Sequence, residues 1–188
     1  ACAHLGKIKV GNKEYFPFGG DALTVNGYLG TDGIIPLLEV CREFDTGIFV
    51  LVKTSNPSSG DLQDRIVDGQ PVYRLMGDLC EQWGKRLPGK SGYSGVGAVV
   101  GATWPQQLTE LRAALPNTFF LVPGYGAQGG KAKDIAGAFD KNGIGCVVNS
   151  SRGIMCAWQA QGCAPQDFAN AARREALRMK ADIVAAIK

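Results

Sequence analysis

The residue types best suited to ligand chemistry follow an apolar run near residue 148, where Ser150, Ser151 and Arg152 stand in a row. Hydroxyls, backbone N–H groups and a guanidinium together match the hydrogen bonding of a phosphate dianion. The glycine-rich segment 124–130 adds one long amide side chain, Gln128, and predicts a loop that can fold over a ligand. Taken singly, an arginine is more often a solvated surface residue, and loop glycines often only turn the chain. The hypothesis of a phosphate site therefore depends on the fold bringing these segments together.

Charge and the rare residue types exclude several other kinds of chemistry. Twenty lysines and arginines against 17 acidic residues give a net charge of +3, too small an excess to indicate nucleic-acid binding. The single histidine, His4, lies near the N-terminus and argues against a histidine-based triad. The six cysteines lack zinc-like spacing, so we expect reduced thiols and no metal. No apolar run approaches the roughly 18 to 20 residues of a membrane span, which predicts a soluble cytoplasmic protein without a membrane partner.

The elements that must position these residues follow from the apolar pattern. Continuous apolar or β-branched runs are typical of parallel strands buried on both faces, and they predict strands at 22–25, 48–52, 97–100, 119–122 and 145–148. Helical periodicity between them predicts helices at 34–44, 72–83, from Pro105 onward, 132–141, and from about Pro165 to Ile187. This alternation indicates a parallel sheet with crossover helices, either an open doubly wound sheet or a closed barrel.

Polar and glycine-rich residues concentrate where the predicted strands end, which favours the barrel. In a (β/α)8 barrel the working residues lie at the carboxyl ends of the strands, and phosphate is often held by the loops after the last two. We therefore predict an α/β fold, a (β/α)8 TIM barrel, of which this chain supplies about five βα units. Closure takes eight strands and about 250 residues, so residues 1–188 are predicted to be the C-terminal portion of a single barrel domain. Residues 1–20 would form the end of helix 3 and an irregular connecting loop, and 21–188 strands 4 to 8 with their helices.

Five stretches of the sequence resemble the orotidine 5'-phosphate decarboxylases of the longer, second type. They occur in the same order from about residue 20 to the C-terminus, at 21–30, 51–57, 99–103, 121–130 and 148–154. Small departures are Gly27, where the family would have proline, and Tyr125, where isoleucine is common. The resemblance implies cofactor-free decarboxylation of orotidine 5'-phosphate to uridine 5'-phosphate in pyrimidine synthesis, by a homodimer acting on a small nucleotide.

The resemblance also implies roles for individual residues. It assigns contacts with the pyrimidine to Asn26, Thr54, Ser55 and Pro123. It assigns the 5'-phosphate to Gln128, Ser151 through its backbone N–H, and Arg152. The family's chemistry belongs to a lysine and aspartate set in an Asp-Ala-Lys-Arg-Gly-Asp type of motif after the third strand, and no such motif occurs in residues 1–188. We therefore expect no catalytic residue in this chain, and a missing N-terminal segment of the same barrel as its partner.

Two lysine-containing stretches could be mistaken for catalytic groups. Residues 131–134 combine two lysines with an aspartate, but they follow the glycine-rich loop and open a helix, where paired charges indicate a solvated first turn. Lys53 directly precedes the residues assigned to the pyrimidine, and we interpret it as half of a buried structural ion pair. Two other functions stay open: a noncatalytic nucleotide-binding module, or a different phosphate-handling barrel enzyme such as an isomerase, for which no acid and base are evident.

Overall fold

The computed structural model describes residues 1–126 and 129–188. The strands within these ranges are β1 (Ile8–Val10), β2 (Lys13–Tyr15), β3 (Ala22–Val25), β4 (Gly47–Lys53), β5 (Ile66–Val67), β6 (Gln70–Pro71), β7 (Val96–Val100), β8 (Phe120–Pro123) and β9 (Cys146–Asn149). The helices are α1 (Cys2–Leu5), α2 (Thr31–Phe44), α3 (Val72–Gly84), α4 (Pro105–Ala114), α5 (Ala132–Ile135), α6 (Ser151–Met155), α7 (Ala157–Ala160) and α8 (Phe168–Ala186). Short 3-10 turns occupy Gly27–Leu29, Pro57–Asp61, Ala136–Ala138 and Pro165–Asp167.

The main sheet is parallel and curls into a half-barrel. Its strands lie side by side in the order β3-β4-β7-β8-β9, and every neighbouring pair is parallel. A helix follows each strand before the chain enters the next one, as a parallel connection requires. The predicted βα alternation is thus confirmed, and the strand ends that carry the predicted site residues all lie at one edge of the sheet.

One face of this sheet packs against the helices and forms the core. Val50, Val52, Val100, Phe120 and Val122 are at most 2% exposed. The helices meet them with large apolar side chains, namely Ile34, Leu38, Trp83, Leu108, Leu111 and Ile135. Burial of this continuous apolar surface is the main source of stability for such a layered fold.

The opposite face of the sheet is partly open. The strand register aligns Leu51, Val99, Leu121 and Val147 in one row across four neighbouring strands. The outer members of the row are exposed, Leu51 by 36% and Val147 by 45%. In a complete barrel the equivalent side chains fill the interior, so this apolar row is a surface that a closed sheet would cover.

The structure differs from the sequence predictions in several short elements. The helix predicted at 132–141 is helical only as α5, followed by the Ala136–Ala138 3-10 turn, in which Gly137 packs tightly on Thr109 of α4 and leaves no room for a Cβ atom. The segment predicted to be irregular before residue 20 contains an antiparallel β1–β2 hairpin. Helices α6 and α7, too short to produce a periodic pattern, were not predicted. Among the described residues, no helix combines the length and apolar character needed to cross a bilayer.

Candidate functional site

The loops after β4, β7 and β8 touch one another at the carboxyl edge of the sheet. Ser55, two residues beyond β4, packs against Gly101 of the next loop, where an added Cβ atom would lie 2.9 Å from the Ser55 Cβ. The backbone N–H of Ala102 donates to the carbonyl of Pro123 at the end of β8, at 2.8 Å. Two of the residues assigned to the pyrimidine, Ser55 and Pro123, therefore lie along one continuous edge.

The next two loops along this edge enclose a small cavity. It has a volume of about 120 Å³ and is lined by Pro123, Gly124, Tyr125, Asn149, Ser150, Ser151 and Arg152. The buried hydroxyl of Ser150 donates to the carbonyl of Tyr125 at 2.9 Å and ties the two loops together. Of the predicted ligand-binding residues, the structure thus brings together Pro123, Ser151 and Arg152. Gln128 lies outside the described residues.

The chemistry of this cavity suits an anion. Arg152 is exposed and lies in the first turn of α6, so its guanidinium can reach a ligand without leaving a buried partner. The Ser151 hydroxyl donates to the side-chain oxygen of Asn149 at 3.2 Å. That leaves the backbone N–H of Ser151 as the group that fits the predicted phosphate contact.

Tyr125 anchors the loop after β8 to the last helix. Its side chain is only 3% exposed, and its hydroxyl donates a hydrogen bond to the carboxylate of Asp182 in α8. Burial, with a further contribution from the Asp182 hydrogen bond, raises the pKa of Tyr125, so the phenol stays neutral. The isoleucine that is common at this position in the resembling family could not form this hydrogen bond. Tyrosine at position 125 therefore adds a hydrogen bond between the loop after β8 and α8.

Thr54 is held by protein groups on every side. Its backbone N–H donates to Gln63 Oε1 at 2.9 Å, and Gln63 Nε2 donates to the Thr54 hydroxyl at 2.8 Å. The hydroxyl donates to Asn56 Oδ1 at 2.6 Å, while Trp104 Nε1 donates to the Thr54 carbonyl at 2.8 Å. Each polar group of Thr54 thus has a protein partner, although the residue adjoins Ser55.

Lys53 lies directly beneath this arrangement and is completely buried. Its Nζ is 2.6 Å from Asp64 Oδ1, which confirms the predicted ion pair, but only the lysine is buried, since the Asp64 side chain is 45% exposed. The same Nζ lies 4.3 Å from the ring centre of Trp104 and 5.6 Å from that of Tyr73, distances at which aromatic faces attract a cation. The Lys53 ammonium group therefore interacts with other residues of the fold, which agrees with a structural role.

Asn26, the fourth residue assigned to the pyrimidine, lies one residue beyond β3 at the same edge of the sheet. It is exposed, and its Oδ1 accepts a hydrogen bond from the backbone N–H of Tyr28 at 3.0 Å. This contact closes the 3-10 turn that follows, a capping role that asparagine often plays. Its predicted contact with the pyrimidine stays a prediction.

Sequence reasoning missed Gln63, Asp64 and Trp104 as partners of the segment after β4. The first two lie in the loop that returns after the Pro57–Asp61 turn, where the sequence has no periodicity to indicate contacts. Trp104 carried one usable signal, its place directly before Pro105, in the loop between β7 and α4. Within residues 1–126 and 129–188, no group of three or more histidines, cysteines and acidic residues is placed to hold a metal ion.

Comparisons of the sequence with a family model and with known proteins all match the same family. The family model described as "Orotidine 5'-phosphate decarboxylase / HUMPS family" matches residues 9–161. The chain is 46% identical over 185 residues to an orotidine 5'-phosphate decarboxylase of Caldicellulosiruptor bescii, covering 98% of this chain and 60% of that protein. It is 55% identical over 157 residues to the enzyme of Rhodopirellula baltica, covering 84% of this chain and 51% of the relative. The chain thus spans between half and two thirds of the length of these relatives.

Solved structures of similar proteins agree with the fold. The Leishmania donovani OMP decarboxylase superposes with a TM-score of 0.67 at 33% identity, covering 88% of this chain and 58% of that one. The Leishmania donovani UMP synthase gives a TM-score of 0.69 at 36% identity, covering 89% of this chain and 34% of that one.

Proposed function

The chain belongs to the orotidine 5'-phosphate decarboxylase / HUMPS family, and we propose that the protein converts orotidine 5'-phosphate to uridine 5'-phosphate in pyrimidine synthesis. Within that activity, this chain carries the loops that bind the pyrimidine and the phosphate. The observation that supports the proposal best is the cavity between the β8 and β9 loops, because it combines Pro123, Ser151 and Arg152 at the carboxyl edge of a parallel sheet.

The binding residues explain how such a chain contributes to catalysis. A phosphate held by Arg152 and the Ser151 backbone N–H lies away from the reacting carbon of the pyrimidine. Binding energy from this remote group can close the site, exclude water and hold the carboxylate where its loss is favoured. The developing negative charge at C6 would need an ammonium group to stabilise and protonate it. The buried Lys53 is occupied by Asp64 and does not fill that role.

We place the lysine and aspartate set that performs the chemistry in the remaining barrel. Two observations support this: the relatives extend well beyond the matched region, and the open face of the sheet presents an apolar row that barrel closure would cover. In this arrangement β3, β4, β7, β8 and β9 would be strands 4 to 8 of a (β/α)8 barrel. The homodimer and the cytoplasmic location stay predictions.

Two measurements on the full-length protein test the proposed function. Calorimetric titration with uridine 5'-phosphate reports binding, and loss of the orotate absorbance of orotidine 5'-phosphate reports turnover. We expect both. Binding without turnover in the presence of the remaining barrel would instead favour a noncatalytic nucleotide-binding module, and absence of both would contradict the assignment.

A further inference from the structure

The segment between β4 and the Pro57–Asp61 turn contains a residue whose surroundings do not suit direct ligand binding. Thr54 donates its backbone N–H and its hydroxyl to protein oxygens, and its carbonyl accepts from the Trp104 indole. A pyrimidine could take the hydroxyl proton only if the 2.6 Å hydrogen bond to Asn56 were broken. Replacing one hydrogen bond by another gains little free energy, so this residue contributes little by direct contact.

We propose that Gln63 is a positioning residue, which acts through Thr54 to fix the adjoining Ser55 for contact with the pyrimidine. The proposal rests on the proposed function, since it assumes that Ser55 binds the base. The Gln63 carboxamide accepts from the Thr54 N–H and donates to the Thr54 hydroxyl, which fixes both the backbone and the side chain of that residue. Two parallel hydrogen bonds from one planar amide restrict orientation far more than one bond does.

Gln63 is itself fixed by its own backbone. Its N–H donates to the Ser59 carbonyl at 2.9 Å, and its carbonyl accepts from the Tyr73 N–H, also at 2.9 Å. Ser59 is buried, and Tyr73 belongs to the first turn of α3. The carboxamide therefore extends from a rigid attachment rather than from a free loop.

The neighbouring Lys53–Asp64 pair holds the same loop from below. Asp64 follows Gln63 directly, and its carboxylate is bound to a lysine at the end of β4 that is fully buried. The returning loop is thus attached to the strand by two adjacent residues, Gln63 to Thr54 and Asp64 to Lys53. Removal of Asp64 would leave the buried Lys53 charge without its partner and strongly destabilise the fold, which makes Gln63 the better position for a functional test.

Ser55 is confined from the opposite side by Gly101. An added Cβ at residue 101 would lie 2.9 Å from the Ser55 Cβ and 3.0 Å from its backbone nitrogen. A side chain at residue 101 would therefore push Ser55 out of its position, because the backbone nitrogen of Ser55 cannot rotate away. Ser55 thus packs against Gly101 and follows Thr54, which Gln63 holds by two hydrogen bonds. This arrangement fixes the position of Ser55 before a ligand binds.

The test is a double-mutant cycle in the full-length protein, with Gln63→Leu, Thr54→Val and the double variant. Leucine and valine have similar sizes to the residues that they replace but cannot make the hydrogen bonds. We expect each single change to raise the Kd of uridine 5'-phosphate roughly 10-fold, the effect of one oriented hydrogen bond, and the double change to do no more. Thr54→Ser, which keeps the hydroxyl, should stay close to the unsubstituted protein.

Ribose 5-phosphate separates positioning from general structural damage, because it carries the phosphate but no base. Its Kd should not change in Gln63→Leu, and neither should that of uridine 5'-phosphate in the matched control Gln166→Leu, an exposed glutamine in the Pro165–Asp167 turn. If Gln63→Leu does not fold, Gly101→Ala tests the same idea from the other side of Ser55, with the same expected selectivity for the base.

Three results would overturn the inference alone: an unchanged uridine 5'-phosphate Kd in Gln63→Leu, equal weakening of both ligands, or fully additive effects in the cycle. A large loss in Thr54→Val with none in Gln63→Leu would show direct binding of the base by Thr54. If the unsubstituted protein bound neither ligand, the proposed function would fail and this inference with it.

Discussion

Two arginines, Arg112 and Arg152, have surroundings that separate a structural charge from one that is accessible to a ligand. Arg112 is 9% exposed, and its guanidinium donates to the backbone carbonyls of Thr118 and Gly145 at the amino ends of β8 and β9. Burial lowers the pKa of Arg112, and the aromatic face of Phe120 lies 4.3 Å from its guanidinium carbon. Arg152 is exposed beside a cavity at the opposite ends of the same strands. Arg112 joins backbone segments of the fold, whereas Arg152 is accessible to solvent at the cavity, where we predict that it binds a phosphate.

Arg152→Ala should therefore weaken phosphate-containing ligands selectively. We expect a loss of about 1.5 to 3 kcal/mol in the binding of uridine 5'-phosphate, typical of a hydrogen bond to a charged group, and no change for uridine. Titration calorimetry with both ligands measures the difference. Arg173→Ala, at an exposed position of α8, is the matched control and should bind both ligands normally. Equal losses for uridine and its phosphate would remove Arg152 from the phosphate site.

Cys80 in α3 makes the stability sensitive to alkaline pH. Its thiol is fully buried, and burial raises the pKa of Cys80 from 9.0 to about 12. Between these values the unfolded chain loses the proton while the folded chain keeps it. Through this thiol, the free energy of unfolding should fall by about 1.4 kcal/mol per pH unit between pH 9 and pH 12. Burial also raises the pKa of Cys146 to about 12, so that thiol adds a similar decline.

Urea denaturation at several pH values checks this expectation. Cys80→Ala should show a shallower decline above pH 9, whatever its effect on stability at neutral pH. Cys156→Ala, which removes an exposed thiol, should leave the slope unchanged. A decline that is identical in Cys80→Ala and the unsubstituted protein would refute the link to this thiol.

At the scale of elements, β7 is the central strand of the main sheet and is buried along its whole length. All five of its residues are buried, and it lies between β4 and β8 in the centre of the sheet. Its Gly97 faces Phe49 across the register with β4. An added Cβ there would lie 2.5 Å from the Phe49 ring and 2.7 Å from the backbone oxygen of Phe119. The ring can turn away, but the backbone oxygen cannot.

Gly97→Ala should for this reason destabilise the fold. Overpacking of a tightly packed interior costs roughly 1 to 3 kcal/mol, and the immobile oxygen places this position toward the upper end. Urea denaturation measures the change in the free energy of unfolding. Gly20→Ala, whose added Cβ would meet nothing closer than 3.5 Å, should change stability by no more than about 0.5 kcal/mol. Similar values for the two variants would contradict the packing argument.

At the scale of the whole molecule, the main feature is the open face of the sheet. The row formed by Leu51, Val99, Leu121 and Val147 is apolar, and its ends are exposed to solvent. Exposed apolar surface beside unpaired strand edges favours association with another polypeptide. In the proposed complete barrel, further strands would cover the apolar row and pair with the edges of β3 and β9.

Val147→Lys should distinguish an open face from a covered one. In the 188-residue chain alone, the lysine can reach water, and we expect a change in stability within about 0.5 kcal/mol. In a protein that includes the proposed remaining barrel, a covered face would bury the charge and destabilise the fold by several kcal/mol. Chemical denaturation of both forms measures the difference, with Val10→Lys in the exposed β1–β2 hairpin as the control. An equally small effect in both forms would argue against closure over this row.

The sequence alone determined the order of the five main-sheet strands and of the helices that connect them, since continuous apolar runs and helical periodicity are local patterns that each segment carries independently. The strands at residues 22–25 and 97–100 were placed to within one residue, and the buried pairing of Lys53 was anticipated. Only the tertiary structure identified Asp64 as the partner of that lysine. The same is true of the hydrogen bonds from Gln63 to Thr54 and from Tyr125 to Asp182. These contacts join residues from 9 to 57 positions apart through irregular loops, so no periodicity records them, and only the packed geometry decides which polar groups meet.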